Sequence, residues 1–176
     1  MLNAEFNKLS PNPELDLYPE ELRENIDDAN EWIYPKINNG VYRCGFAKTQ
    51  EAYDAAIQDL TEAFDRVDEI LKKQRYIAGD QFSEADIRLF ATLLRFDEVY
   101  VVYFKTNTRS VATTPAILDY CREIYQMPGI KETVNMESIK AHYYCSHPEL
   151  NFYSVIPRGS NFIALLEEPH SRDKMG

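Results

Sequence analysis

Apolar residues recur every three or four positions along much of this chain, which is the spacing of one face of an α-helix. The longest such stretch follows Thr49, a residue suited to capping a helix, and extends over about five turns to Leu71. Its apolar positions are Tyr53, Ala56, Ile57, Leu60, Ala63, Phe64, Val67, Ile70 and Leu71. The pattern predicts a helix with a broad apolar side that packs against other helices.

A second helix is predicted to begin at Ser83. Ser83 and Asp86 have the spacing of a capping box, in which each side chain accepts a hydrogen bond from the backbone amide of the other residue. From Ile87 towards Phe104, apolar residues cover nearly every side of the predicted helix. Such a helix is typical of the centre of a bundle.

Shorter apolar patterns predict three more helices. They begin near Pro19, at Thr114 followed by Pro115, and after Asn135 as a cap, and the first carries an acidic face opposite its apolar one. Prolines are absent between Lys36 and Thr114, and the whole chain has six glycines, as long uninterrupted helices require. The predicted fold class is therefore all-α.

Two segments lack a helical pattern. The turn formers at 38–40 are expected to break the first helix and to leave residues 41–47 irregular. Beyond His147 prolines are scattered and no period persists, so this stretch is expected to wrap the bundle or to be partly mobile. At 176 residues, the chain is expected to hold one helical domain, residues 1–157, followed by a C-terminal tail, residues 158–176.

Composition is that of a globular protein and limits the partners. Hydrophobic residues make up 44% of the chain and charged residues 27%, enough apolar material for one core. Nineteen basic residues against 29 acidic ones give a net charge of −10, which disfavours nucleic acid and anionic membranes as partners. The longest purely apolar run, 99–104, is too short to span a bilayer, and the first residues lack the pattern of a secretory signal.

The cysteines are Cys44, Cys121 and Cys145, which form no CxxC motif and leave one thiol over in any disulfide pairing. A reducing, cytoplasmic location is therefore expected. Cys44 follows an arginine in a predicted loop, the one hint of an activated thiol, but structural thiols are favoured for all three. His142, Cys145 and His147 have zinc-ligating side chains, yet no second cluster completes a set of four ligands, so no metal is expected.

Tyrosine is unusually frequent, with twelve in the chain. Tyr100 and Tyr103 are close in sequence, Tyr143 and Tyr144 are adjacent, and Tyr42 lies in the segment predicted to be irregular. A phenol combines a flat apolar ring with a hydroxyl that can hold a ring oxygen or stabilise developing negative charge, which suits an aromatic substrate. Packing at helix junctions is the alternative interpretation of these tyrosines.

Three segments together resemble a known family: INNGVYRCGFAKTQEAYDAA, YIAGDQFSEADIRLFATLLRFDEVYVVYFKTN and IYQMPGIKETVNMESIKAHYYCSHPELN. In this order, over roughly residues 3–157, they resemble the C-terminal helical domain of glutathionyl-hydroquinone reductases, the Xi-class, omega-like glutathione transferases. The resemblance implies the helical bundle of a glutathione transferase C-terminal domain. It also implies that the N-terminal thioredoxin-like domain of that family, which binds glutathione and supplies the catalytic cysteine, is absent from this chain.

The resemblance implies that this chain holds the hydroquinone pocket. The functional tyrosines of the family match Tyr42 in NGVYR and Tyr143 in HYYCSH, which would bind and polarise the quinol oxygens as catalytic and substrate-binding residues. Tyr144 is the alternative if the register differs by one, and is kept as a substrate-binding candidate. Glutathione is the implied co-substrate, an aromatic quinol conjugate the implied substrate, and a homodimer through the helical domain the implied assembly.

Two alternatives come from other functional classes. The chain is either a transferase-like helical module kept for protein interactions, as in some translation-associated proteins, or a noncatalytic binder of hydrophobic ligands. In the first case, the acidic face of the first helix would dock a basic partner. In the reductase interpretation, the chain on its own has weak or no activity because the glutathione-binding domain is missing.

Overall fold

The structure, a computed structural model, describes Glu5 and residues 7–175, and these residues are almost entirely helical or in loops between helices. Within them the only β pairing is an isolated bridge between Tyr76 and Gly79, so the predicted all-α class is confirmed. None of the helices in the described ranges is long and apolar enough to cross a membrane. The α-helices are α1 (Arg23–Ile33), α2 (Gly40–Gly45), α3 (Gln50–Leu71), α4 (Glu84–Arg95), α5 (Val101–Tyr103), α6 (Pro115–Gln126), α7 (Met136–Ser146) and α8 (Phe162–Leu166).

The long helix α3 begins where the sequence predicts. The Thr49 side chain accepts a hydrogen bond of 3.1 Å from the amide of Ala52, which satisfies one of the free donors of the first turn. One side of α3 is buried against the rest of the bundle, at Ala56, Leu60, Ala63, Phe64, Val67 and Leu71. The predicted cap of α7 also forms, because the Asn135 side chain accepts from the amide of Ser138 at 2.9 Å.

The start of α4 is fixed by the predicted capping box between Ser83 and Asp86. One oxygen of the buried Asp86 carboxylate accepts from the Ser83 amide at 2.9 Å and from its hydroxyl at 3.0 Å. The other oxygen accepts from the amide of Ile77 at 2.8 Å and from the hydroxyl of Tyr120 on α6 at 2.9 Å. A single carboxylate therefore joins α4 to the preceding loop and to α6.

The prediction that the first helix breaks at 38–40 is wrong, and so is the irregular structure predicted for 41–45, whereas Phe46 and Ala47 do lie outside the helix. A π-helical segment, Tyr34–Asn38, continues α1, and Asn39 keeps helical dihedral angles of −83° and −24° before α2 begins. Pro35 has no N–H and so interrupts the α-helical hydrogen bonds of α1. Further along, the amide of Asn39 bonds to the carbonyl of Tyr34, five residues earlier, at 2.8 Å, which is the π-helical pattern. Packing of α2 on α3 holds this turn helical and outweighs the local turn preference, and Gly40 lies so near α3 that a Cβ atom there would be 3.6 Å from the Leu60 side chain.

A second π-helical segment, Phe96–Tyr100, continues α4 into the short helix α5. Together these elements form the predicted central helix, with Leu89, Leu93 and Val99 fully buried. A π turn holds about one more residue than an α turn and so redirects the side chains that follow.

The C-terminal stretch packs on the bundle. Phe162 and Leu166 of α8 are fully buried, and the backbone amide of Phe162 donates to the Glu98 carboxylate at 2.9 Å. Near the end of the chain, the guanidinium of Arg172 donates to the carbonyl of Leu71 at 2.9 Å. The stretch therefore wraps the bundle, and the boundary at 157 between domain and tail stays a prediction.

Candidate functional site

A cavity of about 820 Å³ opens between the two π-helical segments and α7. This volume lies in the range of pockets that hold small organic molecules. Its aromatic and polar lining includes Tyr34, Asn38 and Tyr42 from the N-terminal helical segments, Arg88, Arg95 and Tyr100 from the central helix, and Ser138, His142 and Tyr143 from α7.

Both π-helical segments contribute to this cavity. Tyr34 and Asn38 are the first and last residues of one segment, and Tyr100 is the last residue of the other. Segments of this kind are frequent at functional sites because they turn individual side chains away from the regular helical direction. Here they bring side chains of two separate helices to the same opening.

Three tyrosine hydroxyls form a hydrogen-bonded chain at the cavity. The Oη atom of Tyr143 lies 2.7 Å from that of Tyr42 and 2.7 Å from that of Tyr100. Tyr100 and Tyr143 are buried, whereas Tyr42 is 37% exposed. The chain therefore runs from the interior of the protein, at Tyr100, to the cavity, at Tyr42.

Burial sets the direction of these hydrogen bonds. The Tyr100 hydroxyl has Tyr143 as its one hydrogen-bond partner among the described residues, and an unpaired buried donor costs about 1–3 kcal/mol. The arrangement without such a donor has Tyr100 donating to Tyr143 and Tyr143 donating to Tyr42. The Tyr42 hydroxyl hydrogen is then free to bond an oxygen of a ligand in the cavity.

The buried hydroxyls of the chain stay protonated at neutral pH. Burial raises the pKa of Tyr143 to about 12, and burial together with the hydrogen bond to Tyr143 raises the pKa of Tyr100 as well. The positive charge of Arg95 opposes both shifts without reversing them. These two groups therefore act as hydrogen-bond donors within the chain of hydroxyls, and they are unsuited to acting as bases near pH 7.

Aromatic packing makes this side of the cavity rigid. Phe104, which is fully buried, lies behind the tyrosines, with its ring centroid 5.1 Å from that of Tyr42 and 5.5 Å from that of Tyr100. Gly45 allows this approach, because a Cβ atom at that position would lie 2.2 Å from the Phe104 ring. Tyr143 meets Tyr100 edge to face at 5.4 Å, so the hydroxyls are held by ring contacts as well as by hydrogen bonds.

The structure brings Tyr42 and Tyr143 together and leaves Tyr144 elsewhere. Successive residues of a helix point about 100° apart, so Tyr143 and Tyr144 face different sides of α7. The buried Tyr144 hydroxyl bonds to the backbone carbonyls of Glu98 at 3.3 Å and Val99 at 3.4 Å, and its side chain does not line the cavity. The roles of Tyr42 and Tyr143 in catalysis stay predictions.

The sequence alone assigns no role to several cavity residues. It marks Tyr100 only by its closeness to Tyr103, and it predicts no function for the arginines of α4. The signal for them was present, since Arg88 and Arg95 are seven residues apart and so share a face of a helix that otherwise looks apolar on nearly every side. Polar residues that repeat on one face of a central helix indicate a lined cavity.

No cysteine lines the tyrosine cavity. Cys44 and Cys121 are fully buried, and burial raises the pKa of the Cys44 thiol to about 11 and that of Cys121 well above its ordinary value. Cys145 is exposed, with its Sγ atom 3.9 Å from the carbonyl of Ser154. In the described part of the chain no group of three or more His, Cys, Asp or Glu side chains is placed to hold a metal ion.

This chain is similar to known proteins of one family. The family described as "Glutathione S-transferase, C-terminal domain" matches residues 50–123. The glutathionyl-hydroquinone reductase YqjG of Escherichia coli (strain K12) is 45% identical over 173 residues, which are 98% of this chain and 52% of that protein. The reductase PcpF of Sphingobium chlorophenolicum is 42% identical over 159 residues, 90% of this chain and 50% of that protein. The chain thus spans about half the length of the curated relatives it matches.

This chain is also similar to solved structures of the same kind of protein. The glutathione-bound structure of YqjG superposes with a TM-score of 0.92 at 44% identity, over 98% of this chain and 55% of that one. A Xi-class transferase from Natrialba magadii gives 0.93 at 44% identity, over 99% of this chain and 52% of that one. The chain therefore belongs to the glutathione transferase family, and the part it matches is the C-terminal domain of the Xi-class, glutathionyl-hydroquinone reductase type.

Proposed function

We propose that this chain supplies the aromatic-substrate cavity for the reductive removal of glutathione from glutathionylated hydroquinones. The observation that carries the proposal is the chain of hydroxyls from Tyr100 through Tyr143 to Tyr42, which ends in a cavity with a free donor. The names of the relatives YqjG and PcpF support the choice of substrate and of glutathione as co-substrate.

In this reaction a thiolate attacks the sulfur of the conjugate, and the bond between that sulfur and the ring carbon breaks. The sulfur-bearing ring carbon takes up the proton beforehand, in the keto tautomer of the hydroquinone, so the electron pair of the breaking bond restores the aromatic ring and places negative charge on the ring oxygen. The two sulfurs end as a disulfide. Tyr42 donates a hydrogen bond to this oxygen, and Tyr143 and Tyr100 polarise Tyr42 in turn, so that the charge is stabilised as it forms.

The attacking thiol has to come from outside this cavity, because none of the three cysteines lines it. We assign it to a glutathione-binding, thioredoxin-like domain that meets this chain at the open side of the cavity. The raised pKa values of the buried Cys44 and Cys121 thiols support this assignment, because they keep both groups in the thiol form and the thiolate is the nucleophile.

The test is glutathione-dependent reduction of a glutathionyl hydroquinone by the purified chain, alone and mixed with a separately made thioredoxin-like domain of a relative. Activity in the mixture alone is expected. Activity of the chain by itself would contradict the assignment of the attacking thiol to a second domain. The exposed Cys145 would then be the first cysteine to replace. No activity in either sample, from folded proteins, would remove the catalytic proposal.

A noncatalytic binder of aromatic ligands is the second candidate. The absence of a cysteine from the cavity lining favours it for the chain acting on its own, because the cavity then has hydrogen-bond donors and no nucleophile. Tight binding of a naphthol with no dependence on thiols or on a second domain would support this candidate over the first.

Homodimerisation and a cytoplasmic location complete the proposal. Three large apolar side chains near the start of the C-terminal stretch, those of Phe152, Tyr153 and Val155, are 78%, 82% and 66% exposed, and association would remove them from water. The cysteines are all free thiols, which supports a reducing compartment. Sedimentation equilibrium over a range of protein concentrations would test the dimer.

A further inference from the structure

The tyrosine cavity contains a cation that lacks an acidic partner. Arg95 is half-buried at the end of α4, and its guanidinium hydrogen-bonds to the carbonyl of Ala91. No carboxylate forms an ion pair with it among the described residues, whereas Arg88, two turns earlier on the same helix, pairs with Glu84 at 3.2 Å. A guanidinium has five N–H donors, so most of those of Arg95 are free to face the cavity.

The lining of the whole cavity favours a negatively charged ligand. The chain has 29 acidic residues and 19 basic ones, yet among the described residues no Asp or Glu lines the cavity, and its titratable lining there consists of Arg88, Arg95, His142 and tyrosines. An unpaired cation in a partly desolvated pocket stabilises a bound anion more than it would in water, because the interaction is less screened. The surface of the protein is acidic, and this cavity is where an anion is favoured.

We infer that Arg95 binds an anionic substituent, such as a carboxylate, on the aromatic ring that occupies the cavity. This inference rests on the proposed function, in which an aromatic ligand places one oxygen at Tyr42. Arg95 and the hydroxyl chain line the same cavity, so one ring meets both groups, a hydroxyl at Tyr42 and an acid at Arg95. The planar guanidinium suits two parallel hydrogen bonds to a carboxylate. The preferred substrates are therefore conjugates of hydroquinones that carry an acidic group.

The carboxylates of glutathione offer the same chemistry, and the experiment separates the two sources. This chain is titrated by calorimetry with 6-hydroxynaphthalene-2-carboxylate, with 2,6-dihydroxynaphthalene and with glutathione alone. The two naphthalenes share a ring and a hydroxyl and differ in the anionic group. We expect the carboxylate to bind about tenfold more tightly than the diol, with the difference shrinking as sodium chloride is raised.

The Arg95→Gln variant is expected to bind both naphthalenes with similar affinity. Arg88→Gln is the matched control, since it removes a cation that lines the same cavity but is already paired, and most of the preference is expected to remain. If Arg95→Gln does not fold, as judged by circular dichroism, Arg95→Lys replaces it and is expected to keep the charge preference in weakened form.

The outcomes that overturn the inference differ from those that overturn the proposed function. Equal binding of both naphthalenes by the wild-type chain would contradict the role of Arg95 and leave the aromatic cavity intact. Equal loss of preference in Arg88→Gln and Arg95→Gln would show that the overall positive potential of the cavity, and not Arg95 itself, causes the preference for the carboxylate. Arg95-dependent binding of glutathione alone would assign the anion to the tripeptide. Binding of neither naphthalene would remove the proposed function, and the inference with it.

Discussion

Two buried polar clusters in this molecule are built from similar groups and differ in where their hydrogen bonds end. The Asp86 carboxylate at the start of α4 accepts four hydrogen bonds from the protein and is fully enclosed. The chain of hydroxyls from Tyr100 to Tyr42 ends at a side chain that is 37% exposed and has a hydrogen to donate. A closed cluster stabilises a fold, whereas a cluster that opens on a cavity is available to a ligand.

The comparison is tested most strongly by Asp86→Ala. The substitution removes the acceptor of the amides of Ile77 and Ser83 and leaves the hydroxyl of Tyr120 with only its longer bond, 3.4 Å, to the backbone carbonyl of residue 86, so we expect the free energy of unfolding to fall by about 3 kcal/mol or more. Thermal and urea unfolding measure the change. Asp28→Ala makes the same chemical change at an exposed position, and we expect an effect within about 0.5 kcal/mol. Equal stability of the two variants would show that Asp86 does not hold the fold.

Tyr42→Phe tests the open end of the other cluster. It removes the hydroxyl at the open end of the chain, the one of the three with a free hydrogen, so kcat/KM for a glutathionyl hydroquinone in the mixture with the thioredoxin-like domain is expected to fall about a hundredfold. It also takes away the acceptor of the buried Tyr143 hydroxyl while keeping the ring contacts, so the free energy of unfolding should fall by about 1–3 kcal/mol, and by less than in Asp86→Ala. Unchanged turnover would remove the hydroxyl chain from the mechanism, and a large loss of stability would place Tyr42 with the structural cluster instead.

The contrast also explains what the sequence could and could not predict. Helix starts at Thr49, Ser83 and Asn135 were predictable because a cap depends on residues three positions away. The π-helical segment Tyr34–Asn38 was not, since it follows from a proline within the turn and from packing of the next glycine on α3, which lies later in the chain. Local chemistry fixes where a helix begins, and tertiary packing decides whether a weak breaker ends it.

The candidate site, too, could be predicted only in part from the sequence. Tyr42 and Tyr143 are 101 residues apart, and no periodicity joins them, so their pairing came from the resemblance to a family. Tyr100 lies between them in sequence and completes the chain of hydroxyls, but it sits on a helix whose apolar pattern favoured a purely structural role. The site depends on contacts between three helices, and a single-helix pattern carries no information about such contacts.

Alkaline pH tests the burial of the tyrosine cluster through the ionisation of Tyr143. Tyr143 loses its proton near pH 10 when unfolded and near pH 12 when folded, so the folded state binds the proton more tightly and the stability it contributes is full below pH 10 and lost between pH 10 and 12. We expect the free energy of unfolding of wild type to fall more steeply over this window than that of Tyr143→Phe, by at most about 1.4 kcal/mol per pH unit. Parallel curves would contradict the buried, protonated state of this hydroxyl.

The smallest expected effect is that of Tyr100→Phe, at the closed end of the chain. The Tyr100 hydroxyl has no hydrogen left for a ligand, because it acts by donating to Tyr143, which in turn donates to Tyr42. Without it Tyr143 keeps its bond to Tyr42 but is less polarised, so kcat should fall about fivefold with KM unchanged. A merely structural role would lower the melting temperature and leave kcat alone. Since the phenyl ring of the variant keeps the contacts with Phe104 and Tyr143, a loss of kcat at constant stability would show that the buried end of the chain influences charge at the open end.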